Sequence, residues 1–118
     1  MTWPGGPWLT TDAYKAWARI DAADVTDDVA ITDAVDAASE AIQLRAPAAF
    51  TVDPGTGAAD PVPRSVIQAG LLLTNRLVSR RNSPDGVVGV SDMGTATVLA
   101  YDADITGLLG PWTEMVLG

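Results

Sequence analysis

Fifteen carboxylates, with no histidine and no cysteine, define the chemistry open to this 118-residue chain. Without cysteine there is no disulfide or thiolate metal ligand, and without histidine the commonest general base is missing. Asp24, Asp27 and Asp28 lie close together, but their spacing does not fit the D-x-[DN]-x-[DN]-G calcium loop. Helix capping and solvation account for these acids, and no spacing singles out a catalytic carboxylate pair. We therefore expect no catalytic, metal-binding or cofactor-binding residue and no enzyme activity.

Two glycine-containing turns and one arginine cluster are the remaining candidates for ligand binding. The glycines of residues 55–57 and 86–89 lack the lysine and the spacing of a phosphate-binding loop, so they are interpreted as turn residues. Arg76, Arg80 and Arg81 gather at the end of a predicted helix. They either stabilise the C-terminus of that helix or contact a neighbouring subunit or partner.

The composition favours a single domain that does not bind nucleic acid. Seven Lys and Arg against fifteen Asp and Glu give a formal net charge of -8, which is poor for attraction to phosphates or anionic membranes. Hydrophobic residues make up 47%, enough for a modest core. The first residues, MTWPGGPWLTT, lack the basic and apolar regions of a signal peptide, so we expect the cytosol as the compartment.

The helix predicted over residues 63–81 is the element around which the other elements must pack. Proline at its first turn is favourable, and apolar residues recur at helical spacing. Its apolar arc is so wide that we expect Leu71 and Leu77 to be deeply buried. Polar residues within it, Arg64, Gln68, Asn75 and Arg76, argue against a membrane span.

Two further helices are predicted before this central helix. The first is capped by Thr10 or Thr11 and places Ala13, Trp17 and Ile20 inward, with Lys15 and Arg19 outside. The second covers residues 27–45, with Thr26 as its N-cap and Pro47 beyond its end. Its apolar stripe consists of Ile31, Ala34, Val35, Ala38, Ala41 and Ile42. A loop over residues 46–62 follows, with its first half held by Phe50 and Val52.

After the central helix the pattern changes to short β-prone runs at residues 87–91 and 95–101, which predict a hairpin. A short helix over residues 102–109 and an apolar tail end the sequence. The predicted fold is mainly α, a small helical bundle around a central buried helix with one short β-hairpin or extended segment. Its single domain divides into an extended arm (1–9), a helical core (10–81), a loop and hairpin (82–101) and a short helix with a tail (102–118).

Both ends of the chain carry more apolar and aromatic residues than a small helical core requires. A hairpin alone is marginally stable and has open edges, so a partner strand would resolve both problems. Either these segments contact partners or other copies, or they fold back on their own core. We expect residues 87–101 to be ordered by a neighbour more than by their own subunit. The end residues are Trp3, Trp8, Trp112, Met115, Val116 and Leu117.

The order of these elements resembles the small head-to-tail connector (adaptor) proteins of tailed bacteriophages, particularly those of actinobacterial hosts. The resemblance covers nearly the whole chain. It is most specific in the run RRNSPDGVVG at residues 80–89 and in the ending YDADI at 101–105 followed by LLGPW at 108–112. The N-terminal arm with Trp3 and Trp8 has no counterpart that we can match to a family role.

The resemblance implies a non-enzymatic virion protein that forms a ring, usually a dodecamer, beneath the portal protein. A stopper or tail-completion protein docks on that ring, and DNA passes through its lumen without specific binding. It implies a location in the virion neck, after assembly in the host cytoplasm, and portal contacts from residues 87–101 and 112–117. The expected partner and oligomer interface comprises Trp3, Trp8, Arg80, Arg81, Val87, Val88, Val90, Val98, Leu99, Tyr101, Trp112, Met115 and Leu117. The alternative is a small cytosolic binding or regulatory helical domain.

Overall fold

The fold is mainly α-helical in the residues that the computed structural model describes, which are 3–81 and 102–113. For residues 80 and 81 the description covers the backbone. Four α-helices lie in these ranges: α1 (Thr11–Trp17), α2 (Asp28–Arg45), α3 (Arg64–Arg81) and α4 (Ala103–Leu109). Two 3₁₀ turns, Pro47–Ala49 and Gly110–Trp112, follow α2 and α4. The hairpin predicted over residues 87–101 lies outside the described ranges.

Helix α3 is the centre of the core, as its sequence predicts. It packs most extensively against α2, then against α4, and also touches α1. Leu71 and Leu77 are buried, which confirms the expectation for both. Thr74 is fully buried as well, and its hydroxyl donates to the Gly70 carbonyl at 2.8 Å, so the polar group is satisfied within the helix.

Helix α2 packs on the core through the predicted stripe. Its buried residues include Ala34 and Ala38, which have no exposed surface, and small side chains let a neighbouring element approach closely. Ala41 is only half-buried. The helix begins one residue later than predicted because Asp27, not Thr26, occupies the N-cap position. It ends at Arg45, before Pro47, as expected.

Helix α1 buries a different face from the predicted one. Thr10 caps it by accepting the Ala13 N–H at 3.0 Å, but the buried side chains are Tyr14 and Lys15. Ala13 is exposed and Trp17 is 36% exposed, so the prediction was wrong for these two residues and for Lys15. Other parts of the prediction are confirmed: Ile20 packs against the core and Arg19 is exposed.

The burial of Lys15 has a clear physical cause. Its ammonium donates to the carbonyls of Ala22 at 3.3 Å and Asp24 at 2.7 Å, and to the Asp28 carboxylate at 2.8 Å. An ammonium has three N–H donors, and each has an acceptor here, so the cost of removing the charge from water is offset. The loop between α1 and α2 provides two of these acceptors and the first residue of α2 provides the third, which helical periodicity alone does not reveal.

The loop between α2 and α3 is held by Phe50, while Val52 remains 41% exposed and does not anchor it. The Asp53 N–H donates to the Ala58 carbonyl at 2.8 Å, and the Gly57 N–H donates to the Asp53 carbonyl at 2.7 Å. Gly57 has φ +74°, a conformation that glycine adopts without strain. The loop therefore closes on itself around the predicted turn.

Helix α4 starts one residue later than the predicted helix because Asp102 is its N-cap. Ile105 and Leu109 are fully buried and attach α4 to the core. Within residues 3–81 and 102–113, no helix combines the length and the apolar character needed to cross a membrane.

Candidate assembly surface

The acidic cluster after α1 stabilises local structure. Asp28 is paired with Lys15, and the Asp24 carboxylate accepts the Thr26 N–H at 3.1 Å. Hydrogen bonds from Thr26 lower the pKa of the Asp24 carboxyl below its usual value. Across the described ranges no three Asp or Glu side chains stand close enough together to hold a metal ion.

The N-terminal arm folds onto its own subunit through two tryptophans. The rings of Trp3 and Phe50 meet edge to face at 5.4 Å, and the rings of Trp8 and Phe50 are 5.1 Å apart. The Trp3 indole N–H donates to the Thr51 carbonyl at 3.0 Å. Both tryptophans remain half-buried. The sequence left open whether the arm folds back on its own core or contacts a partner, and the arm folds back. An additional contact between its outer side and a partner stays a prediction.

Gly70 explains how the arm approaches α3 so closely. A Cβ at this position would lie 3.0 Å from Leu9 and 3.1 Å from Trp8, which is tighter than ordinary van der Waals contact. The absence of a side chain therefore makes room for the arm on the central helix. The Trp8 indole N–H is buried there without a hydrogen-bond partner among the described residues.

Asp102 fastens the start of α4 to the C-terminal part of α3. One carboxylate oxygen accepts the Arg76 Nε–H at 2.8 Å, and the other accepts the backbone N–H groups of Asp104 and Ile105 at 3.0 and 3.2 Å. Burial raises the pKa of Asp102, but these hydrogen bonds and the Arg76 charge outweigh it, so the pKa is lowered. The carboxylate thus caps one helix while it binds the side of another.

Trp112 fastens the other end of this C-terminal segment to the beginning of α3. Its indole N–H donates to the Ser65 hydroxyl at 3.3 Å, and its ring packs half-buried against the core. Because Asp102 contacts Arg76 and Trp112 contacts Ser65, α4 runs along α3 in the opposite direction. The last residue of α3, Arg81, and the N-cap of α4, Asp102, therefore lie at the same end of the helical core.

Two open surfaces flank the core, and the sequence alone did not indicate either. The first, the acidic face, is a shallow cavity of about 360 Å³ on α2 formed by Asp36, Ser39, Glu40, Gln43 and Leu44. The second, the basic groove, is a cavity of about 430 Å³ at the start of α3 formed by Arg64, Ser65, Ile67, Gln68 and Leu71. Leu44 is 78% exposed. Its position outside the predicted apolar stripe of α2 is the one sequence feature that could have pointed to an apolar residue on this surface.

The structure describes three of the predicted interface residues with their side chains, namely Trp3, Trp8 and Trp112. It brings the first two together at Phe50 and places the third beside Ser65. Arg80 and Arg81 are the last residues of α3. The others lie outside the described ranges, and their role stays a prediction: Val87, Val88, Val90, Val98, Leu99, Tyr101, Met115 and Leu117.

Comparison with known proteins gives no relative to set beside this geometry. No family model, no curated protein and no solved structure matches the chain.

Proposed function

We propose that this chain is a structural virion protein, a head–tail adaptor whose copies form a ring between the capsid portal and the tail or stopper. The observation that carries the proposal is the attachment of Asp102 and Trp112 to α3. Both residues belong to the ending that resembles phage adaptors. Their contacts place Arg81 and Asp102 at the same end of a packed helical core, and the residues between these two are the ones proposed to embrace a portal.

The negative net charge of the chain supports a ring whose channel DNA passes through without binding to it. The net charge is -8, so a ring of these chains carries a large excess of carboxylates. Carboxylates that line a channel repel phosphates, so DNA is not retained during passage. The proposed partners are accordingly the portal protein, the stopper or tail-completion protein and further copies of this chain, in a dodecameric ring in the virion neck.

Mass measurement with the portal protein encoded by the same genome tests this proposal. Native mass spectrometry of the mixture is expected to show portal rings that have gained a whole set of 12.2 kDa subunits. Val88→Asp and Val98→Asp are expected to abolish the gain, because each puts a charge in the segment proposed to contact the portal. Val25→Asp is the matched control, since Val25 is 66% exposed in the α1–α2 connection, and it is expected to bind like the wild type.

The adaptor proposal is contradicted if the chain stays monomeric in the presence of portal protein and peptide mass spectrometry does not find it in purified virions. That result would favour the alternative, a small binding or regulatory helical domain. The adaptor function would remain supported if portal rings bound all three variants equally, namely Val88→Asp, Val98→Asp and Val25→Asp. Such equal binding would remove the assignment of residues 87–101 to the portal interface.

A further inference from the structure

The acidic face presents an apolar side chain beside two carboxylates. Leu44 is 78% exposed at the end of α2, and Asp36 and Glu40 precede it at spacings that place all three on the side away from the core. Within residues 3–81 and 102–113, neither Asp36 nor Glu40 takes part in a salt bridge. Leu44 and the two carboxylates together offer both an apolar contact and negative charge to a complementary surface.

The basic groove has the opposite character. Ile67 and Leu71 give it an apolar floor, Gln68 lies beside them, and Arg64 is exposed at its end. In the part of the chain that the structure describes, Arg64 forms no ion pair either. The groove therefore offers an apolar depression with a guanidinium at its rim, which suits an apolar side chain that carries acids beside it.

We propose that the acidic face of one copy of this chain binds the basic groove of the next copy. Leu44 enters the depression over Ile67 and Leu71, while Asp36 and Glu40 lie against Arg64. The proposal rests on the ring assembly proposed above and names the two surfaces that form its subunit contact. Such a contact uses different surfaces on the two copies, so it can repeat from subunit to subunit and close into a ring.

Charge selects this pairing over one that joins two like surfaces. Two acidic faces placed against each other would oppose Asp36 and Glu40 to the same carboxylates, and two basic grooves would oppose one Arg64 to another. Like charges brought together in an interface disfavour the complex, whereas opposite charges fix partner and register. Only the combination of one acidic face with one basic groove joins opposite charges and also covers Leu44.

Cysteine crosslinking tests the contact directly, because the natural sequence has no cysteine. One full-length variant carries Leu44→Cys and another carries Gln68→Cys, and each is oxidised alone and in an equal mixture, with and without portal protein. A disulfide forms only when the two Cα atoms come within about 7 Å. We expect a species of twice the 12.2 kDa chain mass in the mixture and little in either variant alone. The control mixture, Val25→Cys with Gln68→Cys, is expected to give only the background yield.

Charge reversal provides the second measurement. Glu40→Arg in the Leu44→Cys chain, or Arg64→Glu in the Gln68→Cys chain, is expected to lower the crosslinked yield about tenfold, because each sets like charges together. Combining both reversals in the mixture is expected to restore most of the yield, since the pair is then opposite again. Loss of the yield through misfolding would not be restored in this way.

The proposal is overturned if Leu44→Cys crosslinks as well alone as in the mixture, or if the mixture never exceeds the Val25→Cys control. It is also overturned if the two reversals together do not restore the yield. Portal rings that bind the chain without this crosslink would leave the adaptor function intact and remove the contact. A crosslink between copies of a chain that portal rings do not bind would support the contact and contradict the adaptor function.

Discussion

Replacing Asp102 by asparagine or by alanine should separate the two roles of its carboxylate. Asparagine keeps an oxygen that can accept the N–H groups of Asp104 and Ile105, but it loses the charge that binds Arg76. Alanine loses both. We expect the free energy of unfolding to fall by about 0.5–1 kcal/mol for Asp102→Asn and by about 2 kcal/mol for Asp102→Ala.

These magnitudes follow from the exposure of the two partners. The Asp102 side chain is only 13% exposed, but that of Arg76 is 39% exposed, so water screens the pair and its value stays near that of a surface ion pair, about 0.5–1 kcal/mol. Loss of an N-cap acceptor costs about 1 kcal/mol more. Asp104→Asn is the matched control, because Asp104 is 76% exposed and 3.8 Å from Arg76, and it should change stability by less than about 0.5 kcal/mol.

The contribution of Asp102 should also depend on pH in a defined direction. Its pKa is lowered in the folded chain, so the folded state favours the charged form. The stabilisation is therefore complete above the ordinary carboxyl pKa of about 4 and is lost as the pH falls through the lower folded value. Asp102→Asn has no proton to gain, so its deficit relative to the wild type should shrink below about pH 4.

Urea denaturation followed by circular dichroism, in steps from about pH 7 to about pH 3, measures this deficit. Equal losses for Asp102→Asn and Asp102→Ala at neutral pH would show that asparagine does not preserve the cap. A deficit of Asp102→Asn that stays constant down to about pH 3 would show that the bond to Arg76 does not lower the pKa. Either result refutes the account of Asp102 as both cap and ion-pair partner.

Four other outcomes follow from the structure. Lys15→Met should lower the unfolding free energy by about 2–4 kcal/mol, since it leaves two loop carbonyls and the Asp28 carboxylate without their donor. A loss below about 1 kcal/mol in urea denaturation would contradict this. Leu77→Ala should cost about 2–5 kcal/mol in the same measurement because Leu77 is 3% exposed, and a near-neutral result would remove it from the core. Gly70→Ala should shift the tryptophan fluorescence towards that of exposed indole, because the new Cβ displaces Trp8 and the arm from α3. An unchanged spectrum would mean that the arm accommodates the Cβ and stays on α3. Duplex DNA should not bind tightly at physiological salt, and submicromolar binding with a steep salt dependence would reveal a basic surface that the net charge of -8 conceals.

The long helices were predictable because their apolar residues recur at helical spacing over many turns. Residues 63–81 and 27–45 each contain such a stripe, and the observed α3 and α2 differ from them by one residue at the start. The ends of α2 and α4 were equally clear because Pro47 and Pro111 follow them closely, and proline does not continue an α-helix.

The face of α1 was not predictable, because a helix of seven residues has too few turns to define a stripe. Its orientation is decided by groups outside the helix. Tyr14 donates to the Asn75 side chain at 2.9 Å, and Lys15 finds its acceptors in the following loop. Periodicity treats lysine as a solvent-facing residue, and only the three-dimensional loop shows otherwise.

The candidate surfaces were partly hidden for the same reason. The tryptophans were recognised as residues in need of burial, but their packing on Phe50 and over Gly70 depends on how the arm folds across α3. The bond from Arg76 to Asp102 joins residues on opposite sides of a long intervening segment. Nothing local in either residue marks the other as its partner.

Lys15 is the only lysine in the sequence, and it is 3% exposed. The folded core therefore offers almost no side-chain amine to an acylating reagent or to a lysine-specific protease. Reaction at this residue requires the loop between α1 and α2 to open, so its rate measures the population of that opened state. A single side-chain reporter of local unfolding is thus already present in the unmodified chain, at the point where α1 joins the rest of the bundle.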